Sequence, residues 1–151
     1  MSEIIRKSLA LMYHDIKVSD ANLDLYDVSL DKFKSQMEYL RLNFPLLQSS
    51  EIILTFDDGY RVWAEEILEI LISLHFNAYF FVCLKFLKES RISKENIVRL
   101  ANNGMIIGSH GVSHNFLHRL KDADILHELS DSKKVLEDIT GKEIKNFSVP
   151  R

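Results

Sequence analysis

The segment Glu51-Ile52-Ile53-Leu54-Thr55-Phe56-Asp57-Asp58-Gly59 decides the fold, because it joins a short apolar run to two carboxylates and a glycine. A nearly continuous apolar run of this length is typical of a strand buried on both faces of a parallel sheet. The aspartates follow at its C-terminal end, and Gly59 permits a sharp turn into a helix that we expect to begin near Tyr60. Because adjacent side chains of an extended chain point to opposite sides, Asp57 and Asp58 are expected to have different roles.

A second polar segment, Ser109-His110-Gly111-Val112-Ser113-His114, follows another short apolar run. If the chain turns helical after His110, residues i and i+4 share a face and His114 reaches the same point in space. On its own, such a histidine pair is more often a solvated helix face. Two imidazoles and one aspartate, however, form a facial ligand set for a divalent ion with positions open for water and substrate. The other aspartate is then free to act as a base.

Composition excludes several classes of function. The 151 residues suit one domain, and 46% hydrophobic residues with a net charge of −3 are ordinary for a soluble globular chain. The sequence lacks the excess of positive charge that nucleic-acid binding requires. The longest apolar run, Ala78 to Leu84, is too short to span a bilayer. The N-terminus lacks a signal-peptide pattern, so we expect a cytoplasmic protein. Cys83, the only cysteine, is expected to be a core residue.

Strands and helices are predicted to alternate, which favours a parallel α/β architecture. Helices are expected to begin at Ser29, near Tyr60, at Ser93 and near Asp122, and Gly141 is expected to end the last of them. The buried face of that last helix is expected to carry Ile125, Leu129, Leu136 and Ile139. The predicted strands are Ser8–Tyr13, Glu51–Phe56, Ala78–Val82, Met105–Ser109 and Ile144–Val149.

The chain resembles the polysaccharide deacetylase (NodB-homology) family, also called carbohydrate esterase family four. Thr55–Gly59 is similar to the first motif of the family, Ser109–His114 to the second and Asn146–Arg151 to the beginning of the third, while Leu11–Ile16 resembles the opening strand. The resemblance implies an α/β fold, namely a distorted parallel (β/α) barrel incomplete at the C-terminus. Residues 1–151 would be the N-terminal portion of a single domain.

The resemblance also implies a site. Asp57 would be the general base, while Asp58, His110 and His114 would bind a divalent metal, most commonly Zn²⁺. The implied reaction is hydrolysis of an N-acetyl, or less often O-acetyl, group on a carbohydrate, with Asp57 taking a proton from the attacking water. His14, Tyr60 and Arg151 are further candidates for contacting the substrate or supporting the site, although His14 is equally open to being a plain strand-end residue.

Two departures from the family pattern have consequences. Ser148 stands where the family usually has an arginine that orients the base, so Asp57 is expected either to lack that partner or to receive it from Arg151. The final strands of the family and its general-acid histidine would lie beyond Arg151. An open barrel edge exposes unpaired backbone groups, and we therefore expect either a longer chain or pairing with a second copy.

Two alternatives to a sugar deacetylase stay open at this stage. One is an amidohydrolase of the same scaffold that acts on a small amide. The other is a catalytically impaired remnant that binds metal or carbohydrate without turnover. Trp63 is expected to belong to the core because of its helical spacing with Ile67, and His75 and His127 are expected to be solvated or structural.

Overall fold

The computed structural model describes residues 9–19, 23–44, 52–88 and 90–150. Within these ranges the elements are β1 (Leu9–Tyr13), β2 (Ile16–Lys17), β3 (Val28–Ser29), α1 (Leu30–Asn43), β4 (Ile52–Asp58), α2 (Leu68–Ser73), β5 (Ala78–Val82), α3 (Lys94–Asn102), β6 (Ile106–Ser109) and α4 (Asp122–Thr140). A π-helical segment, Trp63–Ile67, leads into α2, and short 3-10 helices span Leu84–Phe86 and Leu117–Arg119.

The main sheet has four parallel strands in the order β1-β4-β5-β6, and β2 pairs with β3 in a separate parallel pair. Strand β5 is largely buried, but β4 is fully buried on one face only, because Ile53 on its other face is 36% exposed. The expectation that β4 is buried on both faces is therefore only partly right. The predicted parallel α/β class is confirmed. Because all four strands run in the same direction, the residues that follow β4 and β6 meet at the same edge of the sheet.

An aromatic cluster forms the centre of the core. The rings of Phe56 and Phe80 stack with centroids 4.7 Å apart, and Tyr13 stacks on the other side of Phe56 at 5.3 Å. Trp63 is fully buried, 5.3 Å from Phe80, so its predicted core position is confirmed. Its indole N–H donates to the backbone oxygen of His14 at 3.1 Å, which ties the π-helical segment to the end of β1. Complete burial of each such side chain stabilises the fold by about 1.5–3 kcal/mol.

Several local predictions are confirmed. Ser93 begins α3 with a capping box in which its hydroxyl accepts from the backbone N–H of Asn96, and the Asn96 side chain accepts from the N–H of Ser93. Gly141 ends α4 in the left-handed conformation at φ 65°. Cys83 is fully buried, and burial raises the pKa of its thiol to about 11, so it is poorly suited to act as a nucleophile.

Other local predictions are wrong or only partly right. Ser29 precedes α1 as predicted, but its buried hydroxyl makes no hydrogen bond with the described residues. The helix expected near Tyr60 begins with the π-helical segment at Trp63. The buried residues of α4 are Glu128, Ser132 and Leu136, whereas Leu129 is 37% exposed. Hydrophobic periodicity missed this face because two of its three members are polar.

The fifth predicted strand, Ile144–Val149, is not a strand. Only Phe147 bridges to β6, opposite Ser109. The backbone groups of Ile144 bond instead to side chains of α4, since its N–H donates to Glu137 and its carbonyl accepts from Lys133. Pro150 has no N–H to extend a ladder. Helix α4 thus holds the start of this segment, while β6 bonds to the backbone of Asn146 and Ser148.

The outer edge of β1 borders an apolar groove of about 820 Å³, whose other wall is α1. Met12, on this strand, is 61% exposed. The expected pairing with a second copy through this edge stays a prediction. Within the described residues, no helix has both the length and the apolar character needed to cross a bilayer.

Gly108 in β6 yields a stability prediction. A Cβ added there would lie 2.5 Å from the ring of Phe81, which is only 9% exposed. We expect Gly108→Ala to lower the free energy of unfolding by about 1–3 kcal/mol, because the ring must move within a packed region. Urea denaturation of the purified protein measures the change. A Phe81→Leu background should recover part of the loss, and wild-type stability of Gly108→Ala would contradict the assigned contact.

Candidate metal centre and active site

Three predicted residues converge at the C-terminal edge of the sheet. Asp58 Oδ1 lies 3.0 Å from His114 Nε2 and 3.6 Å from His110 Nε2. One potential ligand atom from each of the three residues lies within 4.8 Å of the other two. Asp58 ends β4 with φ 87°, and this left-handed conformation interrupts the regular strand alternation. Asp57 and Asp58 therefore border the same pocket, contrary to the expectation that they point to opposite sides.

The segment from His110 to His114 is a turn and not a helix, so the predicted reason for the proximity of the two histidines is wrong. Gly111 has φ 81° and His114 has φ 61°, both left-handed. The chain thus reverses tightly and places the two imidazole centroids 5.0 Å apart. A left-handed conformation costs a non-glycine residue such as His114 about 1–2 kcal/mol, so neighbouring contacts must stabilise the turn.

The environment of His110 defines which ring nitrogen faces the cluster. Its Nδ1 lies 2.9 Å from the backbone oxygen of Ser148, which can only accept a hydrogen bond. Nδ1 therefore carries the proton in the neutral ring, and the lone pair of Nε2 is directed toward Asp58. Burial lowers the pKa of His110, against the opposing effect of the nearby Asp57 carboxylate. A neutral imidazole with a free Nε2 is the form that binds a metal ion.

The two oxygens of Asp58 have different surroundings. Oδ2 accepts a hydrogen bond from the hydroxyl of Tyr60 at 3.3 Å and lies 3.9 Å from Nη2 of Arg91. The Arg91 guanidinium lies between the rings of Tyr60 and Phe86, at 3.9 and 4.1 Å from their centroids, and donates to the backbone oxygen of Gly59. Tyr60 therefore supports the carboxylate. Arg91 was not predicted, and no local sequence signal separates it from other loop cations.

Asp57 is 4% exposed and has a partner that was not predicted. The Ser148 hydroxyl donates to Asp57 Oδ2 at 2.8 Å. Serine thus contacts the carboxylate where the family pattern has an arginine. Arg151, the other expected partner of Asp57, lies outside the described residues, so that alternative stays a prediction. Asp57 Oδ1 is buried and accepts no hydrogen bond from the described residues. One oxygen is held and the other is free to accept a proton.

The donor set fits a divalent cation. Asp58 Oδ1 is buried and makes no hydrogen bond with the described residues, although two imidazole nitrogens lie near it. An unpaired buried carboxylate oxygen is costly, and a cation between it and two nitrogen lone pairs would remove that cost. One carboxylate oxygen and two imidazoles are ligands that suit zinc and related transition metals.

A pocket of about 460 Å³ opens beside this cluster, bordered by Asp57, Asp58, His110, His114 and Ser148 and by Met12, His14, Tyr26 and Val149. The His14 ring lies 5.4 Å from the ring of Tyr26, which is 67% exposed. The third supporting candidate, Arg151, lies outside the described residues. Exposed His75, His118 and His127 lie outside the pocket.

A buried acid, Glu128 of α4, was also missed. Its carboxylate accepts hydrogen bonds from Val112 and Ser113, within the turn that joins the two histidines. A signal was available, because Glu128 and Ser132 precede the core residue Leu136 at intervals of four and therefore share its face. An acid on the same helix face as a core leucine indicates a buried partner.

Comparisons with known proteins identify the family and support the fold. The sequence profile described as Polysaccharide deacetylase matches residues 47–151. The peptidoglycan-N-acetylmuramic acid deacetylase PdaC of Bacillus subtilis is 33% identical over 93 residues, which make up 60% of this chain and 19% of PdaC. The structure of BC0361, a polysaccharide deacetylase from Bacillus cereus, matches with a TM-score of 0.78 and 26% identity, over 93% of this chain and 50% of that chain.

The fold of the Streptococcus pyogenes deacetylase PplD matches with a TM-score of 0.81 at 22% identity, over 95% of this chain and 74% of that chain. The chain spans roughly a third or less of the length of three curated relatives that it matches. The predicted (β/α) barrel fold of the deacetylase type is thereby confirmed, with this chain covering part of it. Since the family profile matches well over half of its residues, the chain belongs to the polysaccharide deacetylase family.

Proposed function

We propose that this chain carries the metal-binding and base-bearing part of a hydrolase that removes N-acetyl, or less often O-acetyl, groups from a carbohydrate. The observation that carries the proposal is the convergence of Asp58, His110 and His114 beside a buried carboxylate, Asp57, at one end of a parallel sheet. The names of relatives point the same way, since PdaC is a peptidoglycan-N-acetylmuramic acid deacetylase and a Bacillus cereus relative is a peptidoglycan-N-acetylglucosamine deacetylase.

Asp58, His110 and His114 would hold the divalent metal, for which we propose Zn²⁺. When bound, such an ion supplies Lewis-acid polarisation of the scissile carbonyl and makes a water molecule more acidic. Asp57 accepts the proton of the attacking water through its free Oδ1. Ser148 holds Oδ2 and thereby keeps the carboxylate in place during the transfer. The burial of Asp57 and His110 limits competing hydrogen bonds with solvent.

The pocket has the dimensions of a small-molecule site. Its volume of about 460 Å³ falls in the range of about 300–1,000 Å³ usual for such sites. Tyr26 and His14 border it beside the cluster and present ring faces of the kind on which a sugar can pack. We propose that these two side chains contact the sugar, while Tyr60 acts on Asp58 and not on the substrate.

One observation favours a second candidate, a protein that binds metal and carbohydrate without turnover. The hydroxyl of Ser148 is neutral and makes a single hydrogen bond, so it orients the Asp57 carboxylate less firmly than a charged, bidentate partner would. In that case the metal site persists while proton transfer is inefficient. Stoichiometric metal binding without acetate release would favour this candidate over the first.

The metal site can be tested by removing one ligand. We expect the wild-type protein to bind one Zn²⁺ and His114→Ala to weaken the affinity by more than about 100-fold, because loss of a ligand should exceed the effect of losing an outer-shell partner. Isothermal titration calorimetry measures both affinities. His118→Ala is the matched control, since His118 is exposed and only four residues away. Equal affinities for the wild type and His114→Ala would rule out the proposed ligand set.

The base can be tested with an isosteric change. Asp57→Asn should retain metal and lower acetate release from N-acetylglucosamine oligomers by about 10²–10⁴-fold, because the amide cannot take the proton. Released acetate and bound Zn²⁺ are measured on the same samples. Undiminished acetate release by the metal-loaded variant would refute the assignment. Faster turnover of small cyclic amides than of sugar oligomers would point to an amidohydrolase.

The role of the Ser148 hydroxyl can be tested separately from the metal site and the base. Ser148→Ala should lower kcat about 10-fold through loss of a hydrogen bond to a charged group. It should leave Zn²⁺ affinity unchanged, because the backbone oxygen that accepts from His110 is retained. Steady-state kinetics and calorimetry separate the two effects, and Ser130→Ala on exposed α4 surface is the control. An unchanged kcat would remove Ser148 from the proposed mechanism.

A further inference from the structure

Glu128 is the most unusual buried group outside the proposed ligand set. It lies on α4, is 4% exposed, and makes no described contact with the ligand residues themselves. Its Oε2 accepts from the backbone N–H groups of Val112 and Ser113 at 2.6 and 3.0 Å, and its Oε1 accepts from the Ser113 hydroxyl. Burial raises the pKa of Glu128, but these hydrogen bonds outweigh it and hold the pKa below its usual value. The carboxylate is therefore a well-compensated buried anion.

All of these donors belong to the turn between His110 and His114. That turn contains Gly111 and His114 in the left-handed conformation, which is free of strain for glycine but costs His114 free energy. Strained backbone persists only where surrounding contacts determine it. Two consecutive N–H groups directed at one carboxylate oxygen supply such a contact from the side of α4.

The opposite side of the turn is held by the segment after β5. The backbone oxygen of Gly111 accepts from the N–H of Leu84 at 3.0 Å, and that of Val112 accepts from the N–H of Lys85 at 2.8 Å. The N–H of Gly111 donates to the Ser109 hydroxyl at 3.1 Å. Every backbone N–H from Gly111 to Ser113 thus has a protein partner, and two of the three are supplied by Glu128.

The approach of α4 to the turn is close. The Ser109 hydroxyl donates to Ser132 at 2.6 Å, and Ser132 donates to the backbone oxygen of Glu128 at 2.5 Å. A Cβ added to Gly111 would lie 2.7 Å from Glu128 Oε2, so the turn has room for hydrogen at this position and not for a side chain. The serine hydrogen bonds and the absence of a side chain at Gly111 therefore let the Glu128 carboxylate lie directly against the turn.

We propose that Glu128 is a positioning residue that holds the turn so that the imidazoles of His110 and His114 face Asp58 together, and that the metal affinity of the site depends on it. The inference rests on the proposed function for the metal itself, but the clamp on the turn exists independently of any ion. Glu128 acts through Val112 and Ser113, and it neither binds the metal nor contacts the substrate.

The test compares Glu128→Ala, Glu128→Gln and Glu137→Ala. Glu137 is the matched control, because it lies on the same helix and its carboxylate also accepts a backbone N–H, that of Ile144, on the side away from the cluster. We expect Glu128→Ala to weaken Zn²⁺ binding about 10–100-fold, as loss of an outer-shell partner does. Glu128→Gln retains an acceptor oxygen and should fall between it and the wild type, while Glu137→Ala should bind Zn²⁺ like the wild type.

Hydrogen exchange of the metal-free protein gives a second readout. The amides of Val112 and Ser113 should exchange faster in Glu128→Ala than in Glu137→Ala, beyond any change in global stability measured by urea denaturation. If Glu128→Ala does not fold, the same comparison is made with Glu128→Gln. Wild-type Zn²⁺ affinity in both Glu128 variants, or unchanged protection of the two amides, overturns the proposal. If the wild type binds no Zn²⁺ the proposed function fails, while the exchange data still decide whether Glu128 holds the turn.

Discussion

The site depends on the parallel register of β5 between β4 and β6. Asp58 is level with Val82, and Val82 is level with Ser109, so the last residues of three strands form one row across the sheet. Two strand spacings of about 4.8 Å separate the ends of β4 and β6. The left-handed turn at Asp58 and the reversal after His110 span that separation, and side chains from distant parts of the chain come to share one pocket. A slip of the register by one residue would exchange the buried and exposed faces of a strand and separate the cluster.

The two neighbouring aspartates differ through their partners. Asp58 has one oxygen beside the histidines and the other bonded to Tyr60 near the Arg91 cation, an arrangement that directs Oδ1 toward the histidines. Asp57 has a neutral hydroxyl on one oxygen and none of the described donors on the other, an arrangement that leaves it able to take a proton. Ser148 joins the two functions, since its side chain holds Asp57 and its backbone oxygen sets the tautomer of His110.

Polar groups buried behind the site are also held in place by specific contacts. The turn between the histidines has its N–H groups held by Ser109 and Glu128 and two of its carbonyls held by the segment after β5. Arg91 is similarly fixed in position, because its guanidinium lies between two aromatic rings beside Asp58. Such outer contacts restrict side-chain orientation, which a metal site and a proton-transferring base both require.

The sequence by itself determined the parallel α/β class, the positions of strands β4 and β5, the start of α3, both ends of α4, and which carboxylates and imidazoles follow strand ends. These features follow from local periodicity, capping residues and the direction of parallel strands. Only the tertiary structure decided that Ser148 contacts Asp57, that Arg91 lies beside Asp58 and that Glu128 holds the turn, because these pairs are 91, 33 and 15 or 16 residues apart along the chain. It also decided that Ile144–Val149 is not a strand, since side chains of α4 hold the backbone groups of Ile144 and only one bridge to β6 forms. Contacts between distant segments depend on how elements pack, and no local pattern encodes them.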